Sequence, residues 1–470
     1  MTILPSNSQY FNQIISLIFF LLFGAFSVTL YYLELDIDVS STIWSLLFIS
    51  FCGIVFGFKK INRISLLSVQ SLFTLTIMLF LGGRFFSQIF ILEPIEIFQL
   101  NFFAHYTLSS LDATKLFLLL LIGISYSEAG QYLALLTQRP STQTYKMPLI
   151  GCLPKQLLWI YILVALGGLL YIINVKLQLV LQHGYLGLYK AQSSETYSSQ
   201  LESVLNTLFW ICMGLTLSYG NKKQKKILIL MFLIYAASAV LLGARSLFGT
   251  FILFSLWLYG DFGRKKFSSI KFIIIAIIFI VSVNTLLIST GLRGSVASDS
   301  SLLKTLHTFF YNQGITLMVF DVSMREENYP IIAYFQSIFP GASYIASFLT
   351  TTPVHEIHFG SYLSHSLNSE YYKAGNGVGW SIFSDIYLYS NRNIVFYSLL
   401  FFLWGWLLTK LEKASTTNFF IRGLAIVLIP KILFVARASL STIIPLGIYY
   451  IVIAGIFYLI NTSINNRKRD

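Results

Sequence analysis

The chain has 470 residues, 56% of them hydrophobic and only 11% charged, whereas a soluble domain carries about a quarter charged residues; a water-soluble globule is excluded. The formal net charge of +13 arises largely in short basic connections between apolar runs. Anionic lipid headgroups account for such an excess, so it calls for no nucleic acid.

A transmembrane helix requires roughly 20 mainly apolar residues, because inside the bilayer every backbone polar group must be satisfied within the segment. About a dozen such runs follow one another here. The first, 14–32, has no Lys or Arg before it and no convincing small-residue cleavage site, so it is expected to be retained and not removed as a signal peptide. The others are predicted at 42–58, 64–81, 111–136, 156–174, 201–219, 227–242, 246–260, 270–289, 393–410, 419–435 and 440–460. Cys52, Cys152 and Cys212 lie in or beside these runs with no paired spacing. They read as packing residues, with neither a disulfide framework nor a zinc site implied.

Lys and Arg concentrate in alternate connections, which sets orientation. These carry Lys59, Lys60 and Arg63; Arg139, Lys146 and Lys155; Lys222 to Lys226; Arg264 to Lys271; Lys410, Lys413 and Arg422; and the tail Arg467 to Arg469. Both termini are therefore expected in the cytoplasm. Basic residues that fall on the opposite side, among them Arg84, Lys176, Arg245, Arg293, Arg325, Lys373, Arg392 and Arg437, run against the usual bias. Each one taken singly suits snorkelling to headgroups; as a group they point to an anionic ligand on the outer face.

Residues 84–110 mix aromatics with Glu93, Pro94, Glu96 and His105 and are expected to lie along the membrane surface. Tyr185 and Tyr189, with Gly184 and Gly187, suit either an interfacial aromatic belt or a turn that stacks on sugar faces. The longest non-spanning stretch is 290–392. There, Leu302, Leu303, Leu306, Phe309 and Phe310 recur at helical spacing after Ser300 and Ser301, which predicts an amphipathic helix. Residues 331–350 are apolar, but Pro340-Gly341 interrupts them, and a re-entrant or surface-packed hairpin is expected.

The most polar part follows: His355, Glu356, His358, His365, Glu370 and Lys373, then Gly375-Asn376-Gly377-Val378-Gly379-Trp380-Ser381, then Asp385 and Tyr387. His355 and His358 lack the four-residue spacing and downstream ligand of a zinc helix, so no metal is expected. The glycines follow no strand, so they mark no nucleotide cofactor; tight turning or close backbone approach is their expected use. Lys431, beside Pro430, falls inside an apolar run, which is costly unless it faces a polar cavity.

The twelve-span layout, the long loop between the ninth and tenth spans, Gly243-Ala244-Arg245 closing one span, Gly377-x-Gly379-x-Ser381-x-x-x-Asp385-x-Tyr387 and Ala436-Arg437 resemble the O-antigen and capsule repeat-unit polymerases of the Wzy type. The likeness lies mainly in the C-terminal half. This chain differs in having Asp385 where Glu is common, and Ser390-Asn391-Arg392 where a glycine-containing turn often follows.

The resemblance implies an all-α polytopic membrane protein with a glycosyltransferase C-like architecture. Transmembrane helices are expected over 1–289, an extracytoplasmic (periplasmic) cap over 290–392, and further helices with a basic tail over 393–470. It implies a metal- and cofactor-independent glycosyltransferase of the bacterial inner membrane that polymerises undecaprenyl-pyrophosphate-linked oligosaccharide units, with membrane lipids and a chain-length regulator as partners. A departing diphosphate needs fixed cations, and arginine binds phosphate oxygens in a bidentate way; Arg245, Arg293 and Arg437 are assigned that role. Asp385 first and His365 second are candidates for taking the proton of the attacking hydroxyl, with Glu370 of suitable chemistry too. Equally, the carboxylate could hold Arg245 or Arg437 in place. An O-antigen ligase of the same architecture and a lipid-oligosaccharide flippase are the alternatives; a flippase of two related halves would repeat the long loop, which occurs once.

Overall fold

A computed structural model of the chain describes residues 7–91, 93–137, 155–183, 197–242, 246–260, 302–339, 341–342 and 353–467. Among them nine helices are long and apolar enough to cross a membrane, and a tenth if one bent pair counts as a single broken span. The apolar runs at 14–32, 42–58, 111–136, 156–174, 201–219, 227–242, 393–410, 419–435 and 440–460 each coincide with one of the nine. They are α1 (Asn7–Tyr32), α2 (Ser41–Ile61), α5 (Ser110–Leu136), α6 (Lys155–His183), α7 (Tyr197–Tyr219), α8 (Lys222–Leu241), α16 (Ile394–Ser415), α17 (Phe419–Ile432) and α18 (Ile444–Arg467). The run 270–289 lies outside the described residues, and 246–260 forms a shorter helix, α9 (Ser246–Tyr259).

The third predicted run is not straight. It becomes α3 (Val69–Phe80), then a 69° bend into α4 (Gly83–Ser87) and a short 3-10 turn. The glycines explain the break: a Cβ at Gly82 would strike the Phe48 ring, and one at Gly83 would strike the Phe310 carbonyl. Only a chain without side chains there brings α2 and the later helix α10 (Leu302–Gln313) so close to the turn. Arg84, one residue on, is shielded by the protein itself. Its guanidinium is buried and donates to the carbonyls of Ile97 at 2.7 Å and Gln99 at 2.5 Å. It thereby anchors the hairpin β1 (Gln99–Phe102) and β2 (Ala104–Thr107), paired antiparallel with Leu100 opposite Tyr106.

Helix α5 is the most enclosed of the nine and packs between α1 and α16. A Cβ at Gly405 would run into the Ser127 carbonyl oxygen and one at Gly130 into that of Phe402, so two small residues let the α5 and α16 backbones touch, as interfaces between membrane helices favour. Gly405→Val is therefore expected to force these helices apart and lower stability by about 1–3 kcal/mol, read as an earlier thermal transition of the purified protein in detergent.

Several charged residues inside the bundle are paired, which offsets the cost of placing them away from water. Lys59 of α2 meets Glu128 of α5 at 2.9 Å, both fully buried, and donates to Gln131 at 3.2 Å. Thr74 of α3 donates to the same Glu128 oxygen at 2.6 Å. Glu412 of α16 accepts from the Val69 amide at 2.9 Å and the Trp257 indole at 3.1 Å.

The stretch before α16 contains α10, predicted as the amphipathic helix, then α11 (Thr316–Arg325), α12 (Ile331–Ile338), α13 (Phe359–Leu367), α14 (Ser369–Lys373) and α15 (Ile382–Tyr389). Helix α12 stops at Ile338, just before the predicted break; residues 343–352 are outside the described residues. Helix α15 enters the core through Phe383, which packs into the space left by Gly123 of α5 and against Phe401 of α16.

Candidate active site

Pro430 removes a backbone donor near the end of α17, and the helix stops two residues later. Two 3-10 turns, Val435–Arg437 and Leu440–Thr442, then carry the chain to α18. Arg437 stands on the first turn with its side chain exposed, while Val435 and Ala436 beside it are buried. Its Nη1 donates to Gln313 Oε1 at 2.8 Å, and its guanidinium lies 5.8 Å from the centroid of the Phe80 ring. The cation is thus held at the junction of α3, α10 and the turn, and still faces open space.

What fixes the turn is Asp385. Its carboxylate, 0% exposed, accepts from the Leu440 amide at 2.6 Å through Oδ2, and from Trp380 Nε1 at 2.7 Å and Ser439 Oγ at 3.3 Å through Oδ1. Both oxygens are engaged. Burial pushes its pKa up to about 7, against the opposing pull of the Leu440, Trp380 and Ser439 donors. Trp380 is held in turn by stacking on Phe359 at 5.5 Å and by the edge of Tyr329 at 5.8 Å.

The glycine run before α15 does the turning expected of it. Gly375 ends α14 at φ +89°, with amide bonds back from Gly375 to Tyr372 and from Asn376 to Tyr371, a left-handed helix end. Gly379 has φ +84°. After α15 no glycine is present, yet Asn391 and Arg392 still take φ +51° and +63°. Asn tolerates that region, and Arg392 is pinned there by donating to the Glu326 carbonyl at 2.6 Å.

His365 stands apart from the carboxylate. On α13 its ring stacks on His355 with centroids 3.8 Å apart, and the edge of Tyr372 lies 5.7 Å away. Burial, and then the positive charges of His355 and Lys373, hold His365 below the ordinary histidine value, so the ring is neutral near pH 7. Its neighbour Ser364 accepts from the Val378 amide at 3.1 Å, which ties α13 to the glycine run.

Arg245 and Arg293 lie outside the described residues. Asp385 and the Arg437 turn are brought together; His365 makes no bond to either among the described residues. Arg325 of the same segment is committed, binding Asp321 at 2.9 Å and Asp112 at 3.1 Å. Sequence reading did not single out Gln313 or the bonding of Trp380 and Ser439. A tryptophan placed shortly before a buried acid was the available signal for the second. No group of three or more His, Cys, Asp or Glu among the described residues is disposed to hold a metal ion.

Comparison with curated proteins and with solved structures gave no match. The pattern that describes the O-antigen polysaccharide polymerase Wzy matches residues 14–469, nearly the whole chain. With its multiple helices long and apolar enough to cross a membrane, the chain belongs to the O-antigen polysaccharide polymerase Wzy family.

Proposed function

We propose that this protein is a metal-independent glycosyltransferase that joins undecaprenyl-pyrophosphate-linked oligosaccharide units at the periplasmic face of the bacterial inner membrane. The observation that carries the reading is the Asp385 clamp on the turn that presents Arg437. The charge bias of the connections supports the orientation: basic residues cluster beside the opposite helix ends, at Lys59, Lys222 and Lys413.

In the reaction a hydroxyl oxygen of one repeat unit attacks the anomeric carbon of the other. The bond from that carbon to the diphosphate oxygen breaks, and the diphosphate leaves with the electron pair. Arg437 is the cation that receives the growing negative charge, and it is already in place before the charge develops. Arg245 and Arg293 are assigned to the same anion. Asp385, with both oxygens engaged, acts through the turn as a positioning residue. The hydroxyl proton goes to His365, whose lowered pKa keeps it neutral and able to accept. His365→Gln is expected to lower kcat and leave donor binding unchanged, measured with purified protein and lipid-linked units.

Deletion of the gene tests the class. Loss of a polymerase leaves single repeat units on the carrier or lipid A core. Free polymer would identify a ligase instead, and units trapped in the cytoplasm a flippase.

A further inference from the structure

Lys431 lies within the apolar span 419–437, where an ammonium group is expensive unless something compensates it. Among the described residues nothing of opposite charge does. No carboxylate and no hydrogen-bond acceptor bonds to it; its contact is the Trp210 ring of α7, 5.0 Å from Nζ to the centroid. Lys176 lies within Coulombic range of Lys431 and is itself paired with Glu202 at 2.6 Å. The local balance is one positive charge in excess.

Trp210 adds a second unmet group. It is buried, and its indole Nε1 has no acceptor, although a buried donor left unmatched is costly. Among the described residues, a cation and an N–H donor therefore meet inside the bundle with nothing to accept from either. Lys431 as a residue is partly exposed, while its ammonium sits over the Trp210 ring. Along a helical path it lies roughly 9 Å deeper than Arg437.

We propose that Lys431, seated on Trp210, is a further binding residue for the lipid-linked substrate and takes a phosphate oxygen of its diphosphate from the membrane side. This rests on the donor assigned above. Phosphate is the chemistry that fits: it is anionic, accepts several bonds, and enters the membrane interior when a lipid carries it. Lysine binds it as a compact point charge, without the planar fork that demands one orientation. A diphosphate held by Arg437 near the helix ends and by Lys431 deeper in would be fixed at two points.

The phosphate of an ordinary anionic headgroup shares this chemistry, and the test separates the two. The full-length protein, Lys431→Met and Lys431→Arg are placed in phosphatidylcholine nanodiscs and titrated with undecaprenyl diphosphate. Lys431→Met should weaken binding about tenfold or more and Lys431→Arg should keep it, as expected for a charge-assisted bond. In nanodiscs rich in phosphatidylglycerol the same difference should persist. Equal binding by wild type and Lys431→Met overturns the inference while leaving the function standing. Loss of the difference once phosphatidylglycerol is present assigns the site to bulk headgroups and overturns it as well. Absence of binding by the wild type removes the donor assignment itself. Lys431→Gln, which keeps a polar side chain and removes the charge, replaces Lys431→Met if that variant does not fold, with weakened binding expected and unchanged binding fatal.

Discussion

Arg437→Ala is expected to collapse the surface-glycan ladder to single repeat units while the protein stays in the membrane at its normal level. The side chain is exposed, and it touches Gln313 and the Phe80 ring, so its removal opens no cavity in the core and costs the fold little. The cost falls on the transition state. A preorganised donor facing a developing anion contributes about 3 kcal/mol, roughly a hundredfold in rate. Arg437→Lys keeps the charge and loses the planar fork, so part of the activity should survive. Rates of polymerisation in a reconstituted system, with protein level checked by immunoblot, decide the matter. An unchanged ladder at normal protein level would remove Arg437 from the mechanism.

The architecture was legible because a membrane leaves few choices. Nine of the apolar runs read from hydropathy coincide with the helices long enough to span. The run at 64–81, one of the three others, shows what hydropathy does not carry: the bend at Gly82-Gly83 is set by Phe48 and Phe310, residues distant in sequence. The site was legible in part. Arg437 and Asp385 stood out as charges among apolar residues, but which group meets which is decided by tertiary packing. That Asp385 would bind Leu440 and Ser439 is a contact across more than fifty residues. Arg84 shows the opposite case. Its sequence context matched that of an anion-binding cation, and burial against the carbonyls of Ile97 and Gln99 makes it a structural donor.

Asp385→Asn is expected to lower the polymerisation rate about as far as Arg437→Ala, again roughly a hundredfold, because the amide cannot serve the donors that the carboxylate serves. Its NH2 group would face the Leu440 amide, or the Trp380 indole and the Ser439 hydroxyl, and a buried donor left unsatisfied costs about 1–3 kcal/mol. The 439–440 segment is then released, and Arg437 with it. If Asp385 works through that turn, the double variant Asp385→Asn/Arg437→Ala should be no slower than Arg437→Ala alone, since contacting residues that serve one purpose do not add. A carboxylate that instead took the substrate proton would multiply the two losses to about ten thousandfold. The pH dependence gives a second handle. Because burial raises the folded pKa to about 7 from an ordinary 3.8, the folded state holds a proton that the unfolded chain has lost between these values. The stability that the neutral carboxyl contributes is full at the acid end and lost as pH rises through about 7. Activity moves the other way, because the three donors are matched only by the ionised form. Wild type should therefore become more active and less heat-stable between pH 5 and 8; Asp385→Asn should lose the stability trend and keep only the part of the activity rise that follows deprotonation of His365.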